Sequence, residues 1–213
     1  GVVRLSELLV RLHEAKQIAI ASEDEDRANA LLGFECVAAS LRSELMMWLF
    51  LKREEPEKAW DCLVEAQTAA ASSVRAHDGF EHNVHHTERL EAIEQLVFPP
   101  QVFTSSGLLV DRQLCSICGQ DYDECEHLAT FPYMGEFCSI VAEGLALDHV
   151  SLVDEPADKR CRIVSFETPQ GIRNRMTWKV EPLGESASVD EDGRHWCSRP
   201  AHSSCEHRSP RGS

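Results

Sequence analysis

Two adjacent prolines, Pro99-Pro100, divide this chain of 213 residues into halves of different character. Neither proline has a backbone N–H, and each disfavours helical backbone in the residue before it, so no helix runs through this point. On the N-terminal side apolar residues recur at three- and four-residue steps. On the C-terminal side they fall into short segments that alternate with period two. The chain therefore reads as α+β: an N-terminal helical bundle over residues 1–98, a small β-rich domain over 99–183 and a flexible tail over 184–213, rich in Ser, Gly, Pro and charge.

Within the helical half, Val3, Leu5, Leu8, Leu9 and Leu12 form one apolar stripe. Ser22 is a candidate N-cap, and the acids that follow it suit a helix's positive end. The next helix extends from about Asp24 to Glu55. Between Leu45 and Leu51 it is apolar nearly all round, which places it centrally or against a partner. Pro56 stops it and opens a third helix, whose buried side is Ala59, Trp60, Leu63, Val64, Ala66 and Ala70. Asp78-Gly79 breaks that helix, and a last segment runs from Leu90 to Phe98. Trp48 and Trp60 take core positions, and Cys36 and Cys62 read as buried thiols.

Composition bounds the function. With 43% hydrophobic and 27% charged residues, the chain has material for a core and is not wholly disordered. A formal net charge of −15 repels phosphate, which makes nucleic acid an unlikely partner. The apolar run Leu45–Leu51 is far short of the roughly 20 residues a membrane helix needs. Leu8-Leu9-Val10 is interrupted by Arg11, His13, Glu14 and Lys16, so no secretory signal is present; Gly1 in place of methionine fits a processed chain or a fragment. Of nine cysteines, seven lie beyond residue 114, several near histidines. That asymmetry favours metal over disulfides, and a reducing cytoplasm.

Past the prolines, the strand candidates are Gly107–Leu114, Phe137–Val141, His149–Val153 and Arg160–Phe166. The last two, joined by the polar stretch 154–160, predict a strand–loop–strand pair. Trp178 and Val180 suggest one further strand.

The most specific chemistry is Cys115-Ser116-Ile117-Cys118-Gly119, followed by Cys125-Glu126-His127. A C-x-x-C turn delivers two thiolates from one backbone knuckle, and Gly119 suits the tight turn after it, where positive φ is cheap only without a side chain. Cys125 and His127, two apart on an extended segment, face the same way. Together Cys115, Cys118, Cys125 and His127 make a closed Cys3His set with no position left for water, the signature of structural zinc. Cys138 is an alternative to His127 as fourth ligand. Asp121, Asp123 and Glu124 read as solvated loop acids.

Gly107-Leu108-Leu109-Val110 before this knuckle, Tyr133-Met134-Gly135 after it, and the closing His149-Val150-Ser151-Leu152-Val153-Asp154-Glu155-Pro156-Ala157 together resemble a cysteine-bearing segment of tailed-phage and prophage head-morphogenesis proteins. The V-S-L-V-x-x-P-A portion is similar to the strand–loop–strand near the end of prohead maturation proteases. The resemblance covers residues ~107–166. It implies a role in assembly, and for the proteases a serine hydrolase with histidine and serine upstream; here the upstream region is helical and has no G-x-S-x-G elbow. Ser151, two residues from His149, reads as a strand serine, and no catalytic residue carries over.

Two histidine-rich groups complete the inventory. His77, His82, His85 and His86, with Glu81 and Glu88, read as a polar helix face, and H-E-x-x-H is absent. In the tail, His195, Cys197, His202, Cys205 and His207 are candidate ligands for a second metal, with Cys205-Glu206-His207 echoing Cys125-Glu126-His127. The sequence thus points to a zinc-binding, non-enzymatic interaction or scaffold protein with a protein partner or self-association, in the cytoplasm and without membrane contact. A divergent prohead-type serine protease or other hydrolase is the alternative. It requires a histidine and a serine to converge in a cleft.

Overall fold

A computed structural model describes residues 1–182 together with the backbone pairing of Ser188-Val189 with His195-Trp196. Four helices, α1 (Val2–Ala21), α2 (Glu25–Lys52), α3 (Pro56–Ala76) and α4 (Val84–Val97), precede a series of short strands, so the chain is α+β. Among the described residues no helix is long and apolar enough to cross a membrane.

The helix boundaries follow local chemistry. The carboxylate of Asp24, not the hydroxyl of Ser22, caps α2, accepting from the Arg27 N–H at 3.1 Å. Ser22 instead ends α1, its Oγ donating to the Ala19 carbonyl, because the chain reverses at Glu23 with φ +56°. Pro56 occupies the first turn of α3, where its missing N–H costs nothing. After Ala76 the His77 ring accepts from the Gly79 N–H and starts a 3-10 turn over Asp78–Asn83 that leads into α4.

The core lies along the α2–α3 contact. All six residues expected on the inner side of α3 are buried, as are Ala28, Leu32, Ala38 and Met47 of α2, the helix α3 packs against. Leu90 of α4 is buried, and Trp60 meets Phe98 edge-on at 5.4 Å between ring centroids. Gly33 lies under the Phe80 ring, so any side chain there would collide with it. The stripe on α1 continues past Leu12 into Lys16 and Ala19, both buried. Lys16 is tolerated because its ammonium donates to Glu35 Oε2 at 2.6 Å.

Two expectations about this half need correction. Trp48 is 40% exposed rather than core, its indole N–H donating to Glu44 at 3.4 Å. A helix packed on two sides cannot bury an apolar run that encircles it, so Leu45, Trp48 and Leu49 are left outward while Met47 is buried. Cys36 and Cys62 are half-buried; loss of hydration pushes both thiols up to about 11.

The strand region begins with β1 (Phe103–Leu109) and β2 (Arg112–Cys115), two strands where one was expected over 107–114. The break falls at Asp111, whose N–H turns to the Glu143 carbonyl. Next come a two-residue hairpin, β3 (Pro132–Tyr133) and β4 (Glu136–Phe137), and then β5 (Ile140–Glu143), which pairs antiparallel with β2 so that Cys115 faces Ile140. β6 (Ala146–Val153) includes the expected 149–153, but its partner is β1 and not 161–166. Residues 161–163 use their backbone elsewhere: Cys161 O accepts from Thr104 N–H at 2.9 Å, and Ile163 N–H donates to Val102 O at 2.8 Å. β7 (Ser165–Thr168), β8 (Gly171–Asn174) and β9 (Val180–Glu181) form a three-stranded antiparallel sheet. Trp178 lies outside β9, in a turn with φ +59°.

By contacts the chain forms two compact units. One comprises residues 1–98 with 106–151, and the other residues 99–105 with the described residues from 152 onward. The knuckle segment therefore belongs with the helices rather than with the later sheet.

Candidate metal centre

The site is built where β2 ends. The Cys115 N–H donates to Gln120 O and Cys115 O accepts from the Gly119 N–H, both at 2.8 Å, closing the loop that carries Cys118. Gly119 has φ +70° with open space where a Cβ would project, as the sequence pattern requires. The Ile117 N–H points at Cys115 Sγ at 3.4 Å. A 3-10 turn, Tyr122–Glu124, capped by the Asp121 carboxylate, then brings the chain back as extended backbone at Cys125.

The two tyrosines of the chain fix the returning segment. The phenol oxygen of Tyr122 accepts from Ala129 N–H and that of Tyr133 from Leu128 N–H, each at 2.9 Å. The Tyr133 ring also meets His127 edge-on, 4.7 Å between centroids. The ligand atoms of Cys115, Cys118, Cys125 and His127 consequently all lie within 4.8 Å of one another. Cys115 is buried, Cys125 and His127 are half-buried and Cys118 is exposed.

Two observations test whether these residues suit a metal ion. His127 Nδ1 is buried with no hydrogen-bond partner, a cost that a coordinate bond removes. The thiols are also in electrostatic conflict. Burial pushes Cys115 up, but the N–H groups of Cys118 and Ile117 and the neighbouring Cys138 and Cys118 thiols outweigh it and bring it down to about 6. Burial and the resulting charge on Cys115 then push Cys125 and Cys138 up. Charge on one sulfur thus holds protons on its neighbours, and a cation among them would let more than one ionise. The four residues fit a metal ion; soft thiolates with one imidazole are the donor set of zinc.

The centre is held against the helices by the β3–β4 turn. Met134 and Gly135 have φ +46° and +79°, the left-handed pair of a tight two-residue hairpin. Their N–H groups donate to Glu25 Oε1 at 3.2 Å and Asn29 Oδ1 at 2.8 Å. Beneath Gly135 lie the Lys16 stem and Ala28. The residues that seat the module, Lys16, Glu25 and Asn29, carry no pattern in the sequence that marks them; the glycine after Met134 is the one hint.

Among the described residues the other histidines form no metal cluster. His77 pairs with Asp26 at 3.2 Å, His85 with Glu88 at 3.2 Å, and His86 turns inward to Ser40. His149 pairs with Asp148 and covers Gly107 of β1, without reaching Ser151. Of the tail's candidate ligands, Cys197, His202, Cys205 and His207 lie outside the described residues, as does the side chain of His195.

One serine and one histidine do converge, Ser40 Oγ and His86 Nε2 at 2.9 Å, but the proton order is wrong for catalysis. Arg89 Nη2 donates to His86 Nδ1 at 3.1 Å, so Nε2 carries the proton and donates to Ser40, whose hydroxyl donates to Ala66 O at 2.8 Å. An imidazole already protonated on the serine side cannot act as its base. Ser40 is also fully buried. A cavity of about 380 Å³ between α2 and the 3-10 turn is lined by Phe34, Val37, His77, Phe80 and His82, with no serine, cysteine or carboxylate in its wall.

No family model, curated protein or solved structure matches the chain. The fold and site together define an α+β protein with a Cys3His cluster able to hold a metal ion.

Proposed function

We propose that this protein is a zinc-stabilised, non-enzymatic interaction or scaffold protein. Cys115, Cys118, Cys125 and His127 hold one structural zinc. The observation that carries the reading is the convergence of these four donors, with His127 Nδ1 buried and without a hydrogen-bond partner. A closed four-ligand site leaves no position for an activated water, so zinc here acts on folding. β2–β5 and β3–β4 are two-stranded ribbons, which are marginal alone, and the metal ties the loops between them.

The interaction role is supported by uncovered apolar residues, Leu45, Trp48 and Leu49 on α2 and Leu147, Val150 and Leu152 on β6. Its partner is a protein, either a second copy or another assembly component in the cytoplasm. The net charge of −15 argues against nucleic acid. The resemblance of residues ~107–166 to head-morphogenesis proteins of phages suggests assembly as the setting. Hydrogen exchange with and without a chelator tests the reading. Chelation is expected to speed exchange across residues 112–143 and leave α3 protected; unchanged exchange across 112–143 would overturn it.

A further inference from the structure

The geometry points to Cys138 as a fifth donor of the metal centre, interchangeable with His127 in the fourth place. This rests on the metal-centre reading above and enlarges it. Cys138 Sγ lies 3.7 Å from Cys115 Sγ, and both residues are almost fully buried. Two thiolates bound to one tetrahedral zinc at about 2.3 Å each are separated by about 3.8 Å, so this spacing is that of two ligands sharing an ion.

The position of Cys138 is fixed from both sides. Its N–H donates to Phe131 O at 2.9 Å and its carbonyl accepts from Thr130 N–H at 2.8 Å, tying it to the segment that follows His127. The next residue, Ser139, is tied to the knuckle: its carbonyl accepts from Ser116 N–H at 2.9 Å and its N–H donates to Ser116 Oγ at 2.8 Å. Cys138 is thus held between the two halves of the site. As thiols the two sulfurs share an S–H···S hydrogen bond, and with an ion between them the same spacing serves two thiolate ligands. Cys138 lies beside the four clustered donors, at ligand spacing from Cys115, and in the fourth place it would join the thiolates of Cys115, Cys118 and Cys125 instead of the imidazole.

Cobalt(II) substitution separates the possibilities, because thiolate-to-cobalt charge transfer counts sulfur ligands. The probe is cobalt(II) added to the full chain, as wild type, His127→Ala, Cys138→Ala and the double variant, with helical circular dichroism checked for each. Both single variants are expected to keep one tetrahedral cobalt. Charge transfer in His127→Ala should exceed that in Cys138→Ala by about a third, four sulfurs against three. The double variant, left with three thiolates and a water, should bind cobalt more weakly than either single variant while keeping its helices. Loss of the spectrum in His127→Ala, equal charge transfer in the two single variants, or a double variant that binds cobalt as tightly as the single ones would overturn the assignment of Cys138. Absence of a tetrahedral spectrum in the wild type would instead overturn the metal centre itself.

Discussion

Replacing Gly135 by alanine tests whether the β3–β4 turn seats the metal module on the helices. At φ +79° an alanine sits in the left-handed region, at roughly 1–2 kcal/mol. Its Cβ would stand 3.1 Å from Lys16 Cδ and 3.4 Å from the Ala28 Cβ, inside the usual carbon–carbon separation of about 3.5–4.0 Å. Lys16 cannot simply swing away, since it is 6% exposed and its ammonium is held by Glu35 at 2.6 Å. Overpacking of this kind adds about 1–2 kcal/mol, for a total of roughly 2–4 kcal/mol. Gly119→Ala supplies the comparison: a similar φ of +70°, but nothing within 4 Å of the new carbon, so about 1–2 kcal/mol from backbone strain alone. Urea unfolding of the metal-loaded proteins gives both values, and exchange of residues 130–140 locates the damage. Equal losses in the two variants, or a Gly135→Ala loss below about 0.5 kcal/mol, would refute the claim that contact with Lys16 seats the module.

Further outcomes follow from the same structure. Leu63→Ala, at a fully buried position on α3, should cost about 2–5 kcal/mol in urea unfolding, and a smaller loss would mean the α2–α3 contact is not the core. Burial alone would push Glu44 up, but two hydrogen bonds from Arg89, at 2.9 and 2.5 Å, hold it below its ordinary value of 4.5. Its contribution is complete above about pH 4.5 and is lost as pH falls through the lowered folded value, so Arg89→Ala should flatten the acid limb of a pH–stability profile. His86, lowered from 6.5 by burial and by Arg89, is neutral when folded; its contribution is present above about pH 6.5 and declines as pH falls below it. His86→Gln should remove that part of the slope below about pH 6.5. Burial and the charge on Cys115 raise the Cys125 thiol, so metal binding must displace its proton; competition with a chelator should show affinity falling steadily with pH.

Much of the helical half was legible because burial there repeats with the helix period. Ala59, Trp60, Leu63, Val64, Ala66 and Ala70 mark the inner side of α3 by spacing alone. Trp48 was misplaced because hydrophobicity reports the wish for burial and not the number of neighbours available. The Cys3His cluster was legible because a C-x-x-C-G knuckle encodes its own turn, which Gly119 adopts. Strand partners were not. β6 alternates equally well toward β1 or toward 161–166, and the choice is made by backbone groups of Val102 and Thr104, which any residue supplies. The seating of the knuckle was hidden for a related reason: Met134 and Gly135 bond Glu25 and Asn29 more than a hundred residues away, through main-chain donors that leave no signature.

Zinc per chain, measured by elemental analysis on wild type and on the paired variant Cys118→Ser/Cys125→Ser, bears most directly on the metal centre. Cys118 is exposed and Cys125 half-buried, so serines there remove two sulfurs without opening the core and leave, with Cys138 counted, three donors. The wild type should carry zinc and the variant one equivalent less, with the helical circular dichroism of α1–α4 retained. Equal zinc in both, or none in the wild type, would contradict a centre at Cys115, Cys118, Cys125 and His127.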